Sequence, residues 1–400
     1  MKMFQAQPVV MQIIPELGAG GAEQGCIDIA AHLVANGAKA LIVSHGGARV
    51  KELTRIGATH ISLPVHSKNL FVIWKNIYAL RKLIDRHGVH IVHARSRAPA
   101  WSAYYACQKT KAHFMTTCHA PYNIHNESKR FYNSAIVRGE IVIAISRFVA
   151  RYLQENYGLE PAKIRLIPRG IPLERFHPTA VTPERMIDLA RGWRIPDGAN
   201  IVMLPGRLTR WKGHHVLIEA MAQMDRKDLF CVMIGSDQGR KEYRSELEKT
   251  IRDKGLAGRV RIVDHCRDMP AAYMMATVVV CPSTDPEGFG RVPVEAQAMG
   301  RPVIASDHGG AQETIIAGET GWLVPPSDPA ALARAIQDVL QLTPLERVKL
   351  ATRAMAHVAA DFTKEQMAEA TLAVYAELLQ GQVFQPSPLP ARPLRSVGVV

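Results

Sequence analysis

The chain has 400 residues, 47% hydrophobic and 21% charged, a composition that excludes a disordered chain and a small disulfide scaffold. No run of about 18 uncharged apolar residues occurs, so no membrane-spanning helix is expected. The net charge of +13 is lopsided: residues 1–170 hold 22 Lys+Arg against 9 Asp+Glu, whereas residues 171–400 hold 27 of each. A basic half points to an anionic partner, whether nucleic acid, an anionic membrane surface or a phosphorylated substrate.

The N-terminus lacks a signal-peptide shape, and its short apolar run reads as a first buried strand. Strands are predicted at 8–14, 40–45, 60–63, 90–94, 113–118, 141–146 and 164–168, with helical periods at 22–36, 70–87, 98–109 and 147–156. Short β-rich runs alternating with helices imply a parallel sheet covered on both faces. Residues 173–198, rich in Pro and polar groups, read as a linker with a short helix. The alternation then restarts. Strands are predicted at 200–206, 229–235, 259–264, 277–283 and 302–306, helices near 212–224, 239–254, 268–276, 291–299 and 311–317, and further helices at 328–341, 344–360 and 363–380. The tail, 381–400, has four Pro and no periodicity, and is expected to be loose. The simplest architecture is α/β: an N-terminal doubly wound domain over 1–172 and a second over 199–362. A ligand would sit in the cleft between the carboxyl ends of their strands. The six cysteines form no C-x-x-C pair and read as buried thiols of a reducing compartment.

Four segments carry chemistry. In "STDPEGFGRVPVEA", Glu287 and Glu295 are eight residues apart across a Gly-containing loop and a helix start. The backbone N–H groups of Gly288, Phe289, Gly290 and Arg291 would there face an anion, and Glu295 could accept from a ribose diol. In "PGRLTRWKGHH", Arg207 and Lys212 flank a turn after a strand, where two cations suit a diphosphate. In "ELGAGGAEQGC", Gly18, Gly20 and Gly21 allow close backbone approach, but Glu23 stands at the third glycine position of the dinucleotide fingerprint, which disfavours a dehydrogenase. In "TTCHAPYN", His119 follows a strand end and could serve a sugar. No metal-ligand pattern appears, and neither a metal nor another cofactor is expected. The +13 charge fits a nucleic-acid binder, yet no recognition motif accompanies it.

Together "GGAE", "CHAP", "AISRFV", "IPRGIPLERFHP", "GRLTRWKGHHVLIEA" and "EGFGRVPVEAQAMGRPVIAS…GG…E" resemble the retaining family 4 glycosyltransferases, of the lipopolysaccharide and surface-glycan type, over about residues 8–380. That resemblance implies a GT-B fold, two Rossmann-like domains facing a central cleft, with the helix 363–380 crossing back onto the first domain. It implies that Arg207 and Lys212 hold a donor diphosphate, that Glu295 holds the ribose, and that Glu287 contacts the donor sugar. Gly288, Phe289 and Gly290 would present N–H groups, and Gly20 and Gly21 would approach the diphosphate from the opposite domain. His119 would lie beside the reacting face, and the base against Val263–Arg267. It also implies front-face attack with retention, without metal, from a UDP or GDP sugar. The family's usual "IPNG[IV]D" is here "IPRGIP", so Arg169 adds a cation near the cleft.

The acceptor is expected on the basic first half: an anionic, lipid-linked or lipopolysaccharide-type glycan met by Arg95, Arg97, Lys129, Arg130 and Arg169. The helix around Trp74 could rest on an anionic membrane. The expected location is the cytoplasm, with peripheral attachment to the inner membrane face as the further option. A nucleotide-sugar epimerase of the same fold and a noncatalytic sugar-nucleotide binder are the alternatives, and the oligomeric state is open.

Overall fold

The computed structural model describes residues 7–18, 20–224 and 226–380. The first domain runs β1 (Val9–Ile13), α1 (Gly21–Ala35), β2 (Lys39–Ser44), α2 (Val50–Arg55), β3 (Thr59–Ser62), α3 (Leu70–His87), β4 (Ile91–Ala94), α4 (Arg97–Cys107), β5 (His113–Cys118), α5 (Glu127–Asn133), β6 (Ile141–Ala144), α6 (Arg147–Tyr157) and β7 (Ile164–Leu166). After α7 (Pro183–Gly192), the second runs β8 (Asn200–Pro205), α8 (His214–Gln223), β9 (Leu229–Ile234), α9 (Lys241–Asp253), β10 (Val260–Val263), α10 (Met269–Met275), β11 (Val278–Cys281), α11 (Arg291–Ala298), β12 (Val303–Ser306), α12 (Ala311–Thr314), β13 (Trp322–Val324) and α13 (Pro329–Gln341). Two long helices follow, α14 (Pro344–Asp361) and α15 (Lys364–Gln380).

All pairings in both sheets are parallel. The strand orders are β3-β2-β1-β4-β5-β6-β7 and β10-β9-β8-β11-β12-β13. The order in which strands are added therefore reverses once in each sheet, between β1 and β4 and between β8 and β11, and at such a switch point the loops part to leave a crevice. Every residue of β1 is buried, as a strand covered on both faces requires. Helix ends carry their own signals. Asn69 accepts the amides of Phe71 and Val72 to start α3, Ser146 accepts that of Val149 to start α6, and left-handed Gly88 and Gly158 close these two helices. All six cysteines are free and buried.

Three elements depart from the sequence expectation. β13 is a three-residue edge strand, too short to show a period. The helix expected at 311–317 stops at Thr314, because the amide of Ile316 turns to the Thr320 hydroxyl and Gly318 takes φ +76°. Residues 126–133 contain α5, capped by Asn126. The tail 381–400 lies outside the described residues.

The chain crosses between domains twice, and the crossings touch. Ile171 donates to the Phe362 carbonyl (2.9 Å), and Lys364 donates to that of Ile171 (3.0 Å). Beyond this clasp α15 packs on the first domain. Tyr375 is fully buried there, its hydroxyl 2.7 Å from Nδ1 of His93, whose Nε2 meets Thr117 at 2.7 Å. Glu377 forms a buried ion pair with Arg165 at β7. Residues 173–198 lean on the second domain, where Arg185 of α7 grips Asp268 at 2.6 and 2.7 Å.

Candidate active site

The second domain contributes one wall. β8 ends at Pro205 and places Arg207 at the carboxyl edge, exposed and with no side-chain hydrogen bond or ion pair among the described residues. A 3₁₀ turn, Arg210–Lys212, brings Lys212 back over the switch point. Its Nζ donates to Oε1 of Glu287 at 2.7 Å, and the Ser283 hydroxyl donates to the same oxygen at 2.6 Å. Burial pushes the Glu287 carboxyl up, but the Lys212 ammonium, with these two hydrogen bonds and His308, outweighs it and holds the group below its ordinary value. Glu287 is thus an anion with one oxygen committed. Behind it on α11, Glu295 takes Nη2 of Arg291 (2.9 Å) and the Tyr273 hydroxyl (2.8 Å). The next loop braces this wall: His308 donates from Nε2 to the Ser283 carbonyl (2.9 Å), and the amide of Gly310 donates to that of Glu287 (2.8 Å). Phe289 points its ring into the core, edge-on to Phe362 at 5.6 Å. Of Val263–Arg267, Val263 closes β10 and Asp264, His265 and Arg267 are exposed.

The first domain supplies the other wall. His119 follows β5, and Arg169 follows β7. Arg169 Nη2 donates to His119 Nδ1 at 2.7 Å, which leaves the ring proton on Nε2. Burial, then the charges of Arg169, Arg95 and His93, holds the His119 pKa well below its ordinary value, so the ring is neutral near pH 7. Burial and the charges of Arg291 and Arg95 push Arg169 down to about 9. Arg95, 3% exposed, follows β4 and donates to Oε1 of Gln12 at 3.2 Å. Gly20 caps α1, and Gly21 is its first residue.

Across the cleft the walls touch. A Cβ on Gly288 would come 2.8 Å from the His119 carbonyl oxygen, so only glycine fits. Ser146 donates to the Gly288 carbonyl at 2.5 Å. Glu313 accepts from the amides of Arg147 and Phe148 at 2.8 and 2.7 Å.

The structure brings together His119, Arg95, Arg169, Gly21 and the Glu287–Glu295 wall. Three other candidates lie elsewhere. Arg97 bonds Asn133 (2.7 Å) and covers the Tyr122 ring, Arg130 reaches the Asn156 carbonyl (3.0 Å), and Lys129 is exposed on α5. Sequence reasoning did not single out Ser283, Tyr273, His308, Glu313 or the Arg291 side chain. Only Glu313 carried a signal, the Glu that follows the Gly309–Gly310 pair.

The chain is similar to known glycosyltransferases in both halves. Residues 187–356 match the model "Glycosyl transferases group 1" and residues 19–175 the model "Glycosyltransferase Family 4". D-inositol 3-phosphate glycosyltransferase 1 of Catenulispora acidiphila is 34% identical over 265 residues, 62% of this chain and 61% of its own. The chain thus spans about three-fifths of the length of that relative. Spore coat protein SA of Bacillus subtilis is 25% identical over 345 residues, 78% of this chain and 90% of its own. A crystallised glycosyltransferase from Rickettsia africae ESF-5 superposes with a TM-score of 0.87 at 36% identity, over 94% of this chain and 100% of that one. Anabaena HepE in complex with UDP shares the fold, with a TM-score of 0.79 at 22% identity over 93% and 100% of the two chains.

Proposed function

The chain belongs to the family 4 glycosyltransferases with the GT-B fold, and from that premise we propose that it transfers a sugar from a nucleoside-diphosphate sugar, UDP- or GDP-linked, to an anionic lipid-linked or lipopolysaccharide-type glycan. The observation that carries this reading is the Lys212–Glu287 pair at the second sheet's switch point, with Glu295 behind it and His119 opposite. Arg207 and Lys212 would neutralise the diphosphate as it leaves. The amides at the start of α11 would add to that stabilisation. Glu295 would accept from the ribose hydroxyls. The free oxygen of Glu287 would accept from a donor-sugar hydroxyl, and neutral His119 would donate from Nε2 to a sugar oxygen.

In the reaction, the bond from the anomeric carbon to the leaving phosphate oxygen breaks as the acceptor oxygen bonds to that carbon on the same face. The acceptor proton passes to the departing phosphate, so configuration is retained and no enzyme carboxylate is consumed. The two cations do the charge stabilisation, so the step needs no metal ion. Closure, as seen in the Ser146–Gly288 contact, would exclude water from the reacting carbon.

A membrane-side acceptor is supported by the outer face of α3, where Leu70, Phe71, Trp74 and Tyr78 are exposed. Lys75 lies 4.5 Å from the Phe71 ring centre and Lys82 4.7 Å from that of Tyr78, the mix of apolar and cationic groups that favours an anionic interface. No helix among the described residues is long and apolar enough to cross a membrane.

The test is thermal unfolding with UDP, GDP, ADP and their sugar conjugates, with and without EDTA. A ligand at about 100 times its Kd stabilises by roughly 2.7 kcal/mol. One nucleotide should shift the protein regardless of EDTA, and Arg207→Ala should abolish the shift. No shift from any of them in folded protein would sink the proposal. Conversion of the sugar nucleotide without an acceptor would favour an epimerase. For the membrane part, vesicles with anionic lipid should co-sediment the protein and neutral vesicles should not, with Trp74→Ser losing the difference.

A further inference from the structure

We propose that Tyr375 of α15 is a positioning residue for His119, acting through a buried hydrogen-bonded chain, Tyr375–His93–Thr117. The proposal rests on the role given to His119 above and names what holds that ring in place.

The chain runs from the back of the first sheet to the strand end that carries His119. The β4–β5 register sets His93 beside Met115. Thr117, two residues further along β5, turns to the same face of the sheet. Met115 and Tyr375 belong to one apolar cluster, so this is the face that α15 covers. His119 follows Thr117 by two residues. The neighbours of Tyr375 on α15 that are buried with it, Met367, Leu372, Val374 and Leu378, are all apolar. Phenylalanine would serve that packing equally well. The hydroxyl therefore calls for another reason, because a buried polar group recovers its desolvation cost only when it is paired.

The protons along the chain can be placed. Burial, then the charge of Arg95, keeps the His93 ring neutral, with one donor and one acceptor. The Tyr375 hydroxyl has no partner but His93 Nδ1 among the described residues. Its proton therefore goes to Nδ1, since the reverse order would leave a buried O–H without an acceptor. The ring proton is then on Nε2 and donates to Thr117 Oγ1. A single tautomer satisfies the ring, and that tautomer is set from α15. Without the phenol, His93 loses the donor to Nδ1 and Thr117 loses a fixed partner.

A second route leads from the same helix to the same ring. Met367 Sδ of α15 accepts from the Gly170 amide at 3.4 Å, and a Cβ on Gly170 would run into the backbone of Thr363. The residue before Gly170 is Arg169, which donates to His119 Nδ1. His119 is thus held at its ring by Arg169 and at its strand end by Thr117, and α15 backs both supports. Because α15 begins at the clasp between Ile171 and Lys364, the seating of this helix ties the interdomain crossing to the orientation of His119.

The experiment reads His119 directly. The full chain is labelled at its histidine nitrogens, and the proton–nitrogen correlation spectrum of the imidazoles is recorded, with His119→Asn and His93→Gln assigning the two rings. Wild type should show both rings neutral with the proton on Nε2. Tyr375→Phe and Thr117→Val should each move the signals of His119 as well as those of His93. Thr117→Ser, which keeps the hydroxyl, should leave His119 unchanged. Circular dichroism establishes folding. Release of nucleoside diphosphate from UDP-glucose or GDP-glucose, with water as acceptor, should fall about tenfold in kcat in Tyr375→Phe, with KM within about twofold. Unmoved His119 signals in folded Tyr375→Phe overturn the proposal and leave Tyr375 a packing residue. So does an unchanged kcat in Tyr375→Phe where His119→Asn loses turnover. Moved His119 signals, in a protein whose His119→Asn variant turns over like wild type, uphold the chain and overturn the role given to His119.

Discussion

Glu313 of the second domain caps a helix of the first: its two carboxylate oxygens accept from the amides of Arg147 and Phe148, the opening residues of α6. A carboxylate at a helix N-terminus contributes about 0.3–1 kcal/mol, and more when partly buried. Here that energy is available only while the domains are together, so it favours closure. Glu313→Gln should shift the protein toward open forms. Small-angle scattering should give a larger radius of gyration, and the donor KM should rise severalfold with little change in unfolding temperature. An unchanged radius and KM would mean that the cap is not part of closure.

Lys212→Ala should move the acid limb of activity. The folded Glu287 carboxyl lies below its ordinary 4.5, so its ion pair stabilises the protein at neutral pH and is lost as pH falls through the folded value. Without the ammonium, burial is opposed only by the Ser283 hydroxyl and His308, and the carboxyl rises. The pH profile of residual kcat/KM should show that rise. A profile identical in shape to wild type would separate Lys212 from Glu287.

Two fully buried histidines set a lower pH limit on stability. His93 and His214 are 0% exposed. Burial holds the first well below 6.5 and, with Lys212, brings the second to about 4. Both rings fold neutral, so the unfolded state takes up their protons first as pH drops below about 6.5. Each then removes up to about 1.4 kcal/mol per pH unit until its folded value is reached. Denaturant unfolding from pH 7.5 to 5 should show the decline, and His214→Asn should flatten it. Equal slopes in the two proteins would exclude His214 as a source.

Glu377→Gln should destabilise the chain by about 3–5 kcal/mol, because Arg165 would stay buried without its counter-charge. Urea unfolding measures this, and limited proteolysis should cut earlier between α14 and α15. A loss below about 1 kcal/mol would place α15 outside the first domain's cooperative unit.

The two wound domains were legible because β-rich runs and helical periods alternate with few interruptions. Glu287, Glu295 and Lys212 were legible because each sits one short loop beyond a strand, where chemistry in such sheets collects. The Arg291 side chain was not. Its position suggested only a backbone amide at a helix start, and its guanidinium matters because a glycine 270 residues earlier leaves room for it. Arg97 and Arg95 look alike in sequence, yet one is spent on Asn133 and a tyrosine ring while the other points inward. Side chains two residues apart diverge once the strand gives way to the first turn of α4. The partners of Ser283, Tyr273 and Glu313 are tertiary, and no spacing encodes them.

The return of α15 has a consequence for synthesis. Arg165 emerges from the ribosome 212 residues before Glu377, an interval of roughly 10–40 s at about 5–20 residues per second. During it, the first domain must keep Arg165, His93 and the face of α1 uncovered while the whole second domain is made. The basic half of the nascent chain is therefore a waiting half, and the helix that completes it is also what fastens the two-strand hinge.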